Sequence, residues 1–228
     1  MNILAADDTW FNNPVIQKEL WSATSETLLM TAWATLLAGF FGLILGVILT
    51  ATRPNGILPN RPIYQILGFI VNVGRAIPFI ILMVLLINVT RMIVGQANGW
   101  QGAMVPLALS AIPYFARMVE SNLANVDRGK IEAAQMMGAS RYRILTGVIV
   151  REAVPTLIQS LTILCITIIG YTAMAGAVGG GGLGALAINQ GYYRSEMDIL
   201  LIIVVVIVVI VSIVQIVGDM LSRLVDHR

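Results

Sequence analysis

Five stretches of the chain run almost without polar interruption: Leu28–Ala51, Ala76–Thr90 with Ile63–Gly74 ahead of it, Gly102–Val119, Ala153–Val178 and Ile199–Val217. A helix rises about 1.5 Å per residue and the hydrocarbon core of a bilayer is about 30 Å thick, so a span needs about 20 mainly apolar residues. Each stretch approaches that length alone or with its flanks. Leu28–Ala51 and Ala153–Val178 hold no charge, whereas Gly102–Val119 carries Arg117 and two prolines, Pro106 and Pro113. The last stretch is 19 residues of Ile, Leu and Val, relieved only by Ser212 and Gln215. β-Branched residues favour strand, but a membrane strand needs only about 9–11 residues and alternates in polarity. A lone strand in lipid would also leave its backbone groups unpaired, which a helix does not. The pattern predicts an all-α polytopic membrane protein with five transmembrane helices.

An odd number of spans puts the termini on opposite sides. With the N-terminus outside, the inner segments hold Arg53, Arg61, Arg128, Lys130, Arg141, Arg143, Arg151, Arg223 and Arg228, and the outer ones Lys18, Arg91 and Arg194. Nine against three follows the retention of Lys and Arg on the cytoplasmic side of short loops. The N-terminus is therefore expected to be periplasmic and the C-terminus cytoplasmic. The expected organisation is an N-terminal periplasmic arm over residues 1–25, a transmembrane domain over 26–221 and a cytoplasmic tail over 222–228. No cleaved signal peptide is expected, because MNILAADDTW places no Lys or Arg ahead of an apolar stretch.

Composition removes several function classes. Of 228 residues, 57% are apolar and 11% are charged, against about 25% charged in a typical soluble domain. A net charge of +2, dispersed along the chain, argues against a nucleic-acid partner. Cys165 is the sole cysteine and His227 the sole histidine, which leaves no disulfide framework, CxxC knuckle, histidine triad or His-rich metal site. No catalytic residue and no metal site are expected, and any driving energy must be borrowed.

The most informative polar stretch is the cytoplasmic loop over 123–151. Asp127 is placed to cap a helix over Arg128–Met137, its carboxylate accepting from the free N–H groups of the first turn. Ile131, Ala134 and Met137 then share one face. Gly138 can end that helix in the left-handed conformation, and Ser140 is placed to cap the next one. The expectation is a short helix, a sharp bend and a second helix.

On these residues the chain resembles the membrane-spanning subunits of ABC importers, whose signature is Glu-Ala-Ala, three residues, then Gly. Glu132-Ala133-Ala134 and Gly138 match at the right spacing. The Ile-x-Leu-Pro that normally follows is replaced by Val148-Ile149-Val150-Arg151, with the next proline at Pro155, which bears on how the chain approaches the fourth span. The resemblance implies that Glu132, Ala133, Ala134, Met137 and Gly138 form the coupling helix and bend that seat in a cleft of an ATP-hydrolysing subunit.

Three further stretches resemble the methionine importer permeases: Arg75-Ala76-Ile77-Pro78-Phe79-Ile80-Ile81-Leu82, Pro113-Tyr114-Phe115-Ala116-Arg117-Met118-Val119-Glu120, and the glycine-rich run from Gly170 to Gly184. The likeness extends from about Glu26 to Leu221. It implies the type I ABC importer permease fold in a multi-pass protein of the bacterial inner membrane, working by alternating access. It implies a homodimer of this permease surrounded by membrane lipid, with two cytoplasmic ABC ATPase subunits and a periplasmic methionine-binding lipoprotein. The permease itself would bind no cofactor, ATP and Mg residing on the ATPase, and the solute would be L-methionine, D-methionine or a close derivative.

Other residues carry weaker signals. Gly179–Gly182 superficially suggests a phosphate loop, but no Gly-Lys-Ser/Thr follows, and a tight turn at the end of the fourth span fits better. Arg117 is expected to pair with Glu120 and snorkel to the cytoplasmic surface. Arg75 is either a structural anchor or a pathway residue, depending on whether the second span begins at Ala76 or at Ile63. Tyr171 and Met174 lie three apart on one face of the fourth span, where a flexible, polarizable Met174 could line a gate. Alternatives are a permease for another small solute, an ion-coupled secondary transporter, and a non-transporting subunit that seats an ATPase.

Overall fold

The computed structural model describes residues 12–226, and within them every regular element is helical. The elements are α1 (Pro14–Thr52), α2 (Arg61–Ala76), α3 (Phe79–Leu85), α4 (Ile87–Val94), α5 (Gly99–Ala124), α6 (Arg128–Met136), α7 (Arg141–Ile144), α8 (Arg151–Gly176), α9 (Gly182–Leu186) and α10 (Met197–Val225). Two π-helical turns, Leu145–Val150 and Ala187–Tyr192, lie between α7 and α8 and after α9. Among the described residues four helical stretches are long and apolar enough to cross a membrane: Pro14–Thr52, Gly99–Ala124, Arg141–Gly176 and Met197–Val225.

The expected second span is where sequence and structure differ. Ala76–Thr90 is not one helix: α2 ends at Ala76, Ile77 is extended (φ −78°, ψ 121°), and α3 restarts after Pro78 at a bend of 100°. Proline accounts for this, since it has no N–H to continue the ladder and its ring bars the residue before it from the helical region. Counting α2 with α3 as one broken span gives up to five crossings. Pro106 and Pro113, by contrast, sit inside an unbroken α5. The N-terminal helix is longer than its apolar stretch predicts, because Asn13 caps it by accepting from the Val15 N–H at 2.9 Å with Pro14 just inside. Residues 14–25 of the expected arm are thus helical, and residues 1–11 lie outside the described part.

The chain divides into two compact units. The first comprises the described residues up to Ala34, Pro78–Ala108 and Cys165–Val214. Its core packs Ile16 and Ala23 of α1 on Leu183 and Leu186 of α9 and on Ile199, Ile202 and Ile203 of α10. The second comprises Thr35–Ile77, Leu109–Leu164 and the described residues from Gln215 onward. Leu49, Val71 and Ala116 are buried together there, from α1, α2 and α5. Small residues set the α1–α5 distance: a Cβ on Gly46 would lie 2.5 Å from the Cβ of Val119, and one on Gly42 would lie 3.0 Å from the Ile112 carbonyl oxygen. Such close approach is how helices associate where lipid removes the hydrophobic drive between them. The outward rows are apolar too: Phe41, Ile44 and Ile48 on α1 and Val205, Val209, Ile213 and Ile216 on α10 are exposed. A helix that is apolar on its exposed face has hydrocarbon as its solvent.

Candidate functional site

The segment after α5 folds as its residue types dictate. Asp127 accepts from the Gly129 N–H at 2.7 Å and starts α6. Met137 is the C-cap rather than the last helical residue. Gly138 takes φ +75°, its N–H bonds to the Gln135 carbonyl at 2.9 Å, and the Ala139 N–H bonds to the Ala134 carbonyl at 3.1 Å. That pair of bonds is a Schellman motif, which satisfies carbonyls the helix end would leave open. Ser140 then accepts from the Arg143 N–H at 3.3 Å and opens α7. Where the motif's proline is missing the chain stays helical: Arg151 has φ −63° and ψ −43°, and α7, the π-turn and α8 run on as one stretch, Arg141–Gly176.

The apolar stripe expected on α6 is only partly inward. Ala134 is buried and Ile131 half-buried, but Met137 is 81% exposed. The reason is its place at the cap, where the backbone leaves the helix (ψ 5°). Glu132, Ala133 and Met136 are exposed as well, Met136 at 89%. Two neighbouring methionines this open to solvent, beside small Ala133, make an adaptable contact surface. Met136 is the residue that periodicity overlooked. Lys130 of α6 donates to Glu152 in the first turn of α8, a pair that nothing in the sequence spacing announces.

In the second unit Arg117 does more than pair with Glu120. Besides that ion pair, its Nη2 donates to the Gly68 carbonyl at 3.2 Å and to Asn72 Oδ1 at 2.9 Å, both on α2. To the expected pair the structure adds a clamp, because two acceptors on a neighbouring helix satisfy the guanidinium better than an isolated pair. Arg75 is exposed in the last turn of α2, one residue before the helix stops.

In the first unit the glycine run is a built turn. Gly181 and Gly182 have φ +75° and +71°. The Gly182 N–H donates to the Glu26 carboxylate at 2.7 Å and the Leu183 N–H to Thr27 Oγ1 at 2.9 Å, so α1 caps α9. A Cβ on Gly182 would meet Met30 Cε and Thr27 Oγ1, each at 2.6 Å. Glu26 and Thr27 were hidden from sequence reading because their partners lie 156 positions away. Tyr171 stacks on Phe79, ring centroids 5.0 Å apart and planes 2° from parallel, while Met174 is 42% exposed. Among the described residues no group of three or more His, Cys, Asp or Glu is placed to hold a metal ion.

Residues 38–228 match the family described as the binding-protein-dependent transport system inner membrane component. The chain is 47% identical over 209 residues to the probable D-methionine transport system permease protein MetI of Vibrio cholerae, covering 92% of this chain and 93% of the relative. It is 41% identical over 210 residues to the methionine import system permease protein MetP of Bacillus subtilis, covering 92% and 95%. Among solved structures it is similar to a chain of the inward-facing MetNI methionine ABC transporter, with 41% identity, a TM-score of 0.90, and 94% and 99% of the two chains covered. An amino acid ABC transporter crystallised with histidines shares the fold at 20% identity and a TM-score of 0.75, over 90% and 92% of the two chains.

Proposed function

From the premise that this chain belongs to the family of binding-protein-dependent transport system inner membrane components, we propose that it is the membrane-spanning permease subunit of an ABC importer that takes up methionine. It is a transport subunit and not an enzyme; ATP hydrolysis belongs to a separate subunit. The observation that carries the coupling role is the knuckle of α6, Gly138 and α7. Its buried face is fixed by Ala134, its bend is set by a left-handed glycine, and its outer face offers Glu132, Ala133 and Met136.

The mechanism follows from that shape. Two copies of the permease enclose the pathway in the bacterial inner membrane, two ATPases carrying ATP and Mg bind inside, and a methionine-binding lipoprotein delivers solute outside. Closure of the ATPase dimer moves each α6, and the bend passes that movement to the long helix that α7 begins. The spans then open outward, accept methionine and reset on hydrolysis. Orientation rests on the nine-to-three excess of inner Lys and Arg, with the broken α2–α3 pair counted as one of five crossings. The gate is assigned to Met174, with Tyr171 held by its stack on Phe79 nearby in the chain's first unit, and Arg75 stands at the broken span. An ion-coupled carrier would want a free intramembrane carboxylate, whereas Glu120 is held by Arg117 and Glu26 caps α9.

The test is reconstitution with the cognate ATPase and binding protein in vesicles. Labelled methionine accumulates with ATP and not without it, and photo-crosslinkers at Glu132, Ala133 or Met136 capture the ATPase. Uptake that proceeds without ATP overturns the importer reading, and a complex in which none of the three positions crosslinks to the ATPase overturns the docking assignment.

A further inference from the structure

Alongside α6, and sharing Glu132 with the docking face, the second unit holds a cavity of about 660 Å³, within the roughly 300–1,000 Å³ typical of small-molecule sites. Its walls come from three places: the end of α1 and the loop after it, α6, and α7 with the π-turn that follows. Arg53, Arg128 and Arg141 line it against a single acid, Glu132. Among the described residues none of these three guanidiniums has an ion pair or a hydrogen bond, and the Nε of Arg53 is buried with no acceptor. A buried donor without a partner costs free energy that a bound acceptor recovers. The remaining lining mixes the polar Thr50, Asn55 and Gln135 with the apolar Ile57, Ile131, Ile144, Leu145 and Ile149.

We infer that this cavity binds the phosphate headgroup of an anionic phospholipid of the inner leaflet. Planar guanidiniums match phosphate oxygens two at a time, and basic pockets beside cytoplasmic helix ends take anionic headgroups. The site also has a path for the acyl chains. The exposed row Phe41, Ile44 and Ile48 on α1 continues one turn on to Ala51, which lines the cavity. A free phosphate would satisfy the arginines but would leave the isoleucines and that row unused. The lipid would tie the end of α1 to α6, so that leaflet composition tunes how firmly the coupling helix is held. The inference rests on the proposed orientation, which puts α6 at the cytoplasmic leaflet.

The experiment uses the detergent-purified complex of this chain with its ATPase. Bound lipid is counted by native mass spectrometry during titration with phosphatidylglycerol, phosphatidylcholine or inorganic phosphate. Phosphatidylglycerol should bind about tenfold more tightly than phosphatidylcholine, and Arg53→Gln or Arg141→Gln should each weaken it about tenfold, the effect of losing one charge-assisted hydrogen bond. Arg143→Gln, on α7 but outside the cavity, should leave binding unchanged. Arg141 is exposed, so its variant keeps the test decisive should Arg53→Gln misfold. Equal binding of the two lipids, or no effect of Arg141→Gln, overturns the site. Inorganic phosphate that displaces phosphatidylglycerol with equal affinity overturns the lipid assignment in favour of a free anion. The readout involves neither ATP turnover nor uptake, so loss of the importer reading leaves it standing.

Discussion

Removing Arg117 should expose how much of the second unit depends on one guanidinium. The side chain is 23% exposed and that of Glu120 is 11% exposed, so the pair is mostly but not fully withdrawn from water. Deleting one partner of a buried pair costs about 3–5 kcal/mol, chiefly because the other charge is stranded. Partial exposure lowers that figure, while the two hydrogen bonds to Gly68 and Asn72 add about 0.6 kcal/mol each, the average for polar contacts in a membrane protein. Arg117→Met should therefore cost about 3 kcal/mol. Glu120→Met should cost less, because the guanidinium keeps its α2 acceptors. The double variant, which strands no charge, should cost less than the sum of the two by about 1–2 kcal/mol. SDS titration in mixed micelles, followed by tryptophan fluorescence, measures all three. Single variants that each cost under about 0.5 kcal/mol, or that simply add, would refute the clamp, since such values belong to surface pairs.

Gly182→Ala should destabilise by about 1–3 kcal/mol, from its left-handed conformation and from the contacts with Met30 and Thr27 at 2.6 Å. Gly170→Ala, with nothing within 4 Å of the added Cβ, should be neutral or stabilising by up to about 1 kcal/mol; equal unfolding midpoints for the two would sink the built-turn account. Lys130→Glu should barely change stability, because a half-exposed pair contributes no more than about 1 kcal/mol, yet it should lower uptake per ATP hydrolysed. Exchanging the charges with Lys130→Glu and Glu152→Lys should restore that ratio, and failure to restore it removes the pair from coupling. Met174→Ala should change uptake rate or solute selectivity in vesicles, and identical values would dismiss the gate assignment.

The bent segment of α6, Gly138 and α7 was legible because its signals are local: Asp127, Gly138 and Ser140 each act within three residues of themselves, and chemistry at that range can be read directly. The four helical stretches long and apolar enough to cross a membrane were legible because lipid imposes length and apolarity on any helix that crosses it. What stayed hidden depends on distant partners. Glu26 reads as an ordinary charge at the start of an apolar run until Gly182 arrives to use it, and Arg117 shows its near neighbour Glu120 but not Asn72, 45 positions earlier. Pro78 announced a bend, but apolarity on both sides of it hid how sharp the turn is, 100°. The π-turn at Leu145–Val150 leaves no trace in hydropathy, since its residues continue the apolar run into α8.

Gly42 and Gly46 have a mechanical consequence. With no side chain between α1 and α5 at those positions, either helix that slid along its neighbour or rolled about its own axis would drive Val119 or the Ile112 carbonyl into bare backbone. Within the second unit those stretches of α1 and α5 must travel as a single plank, and any hinge there has to be sought away from that seam.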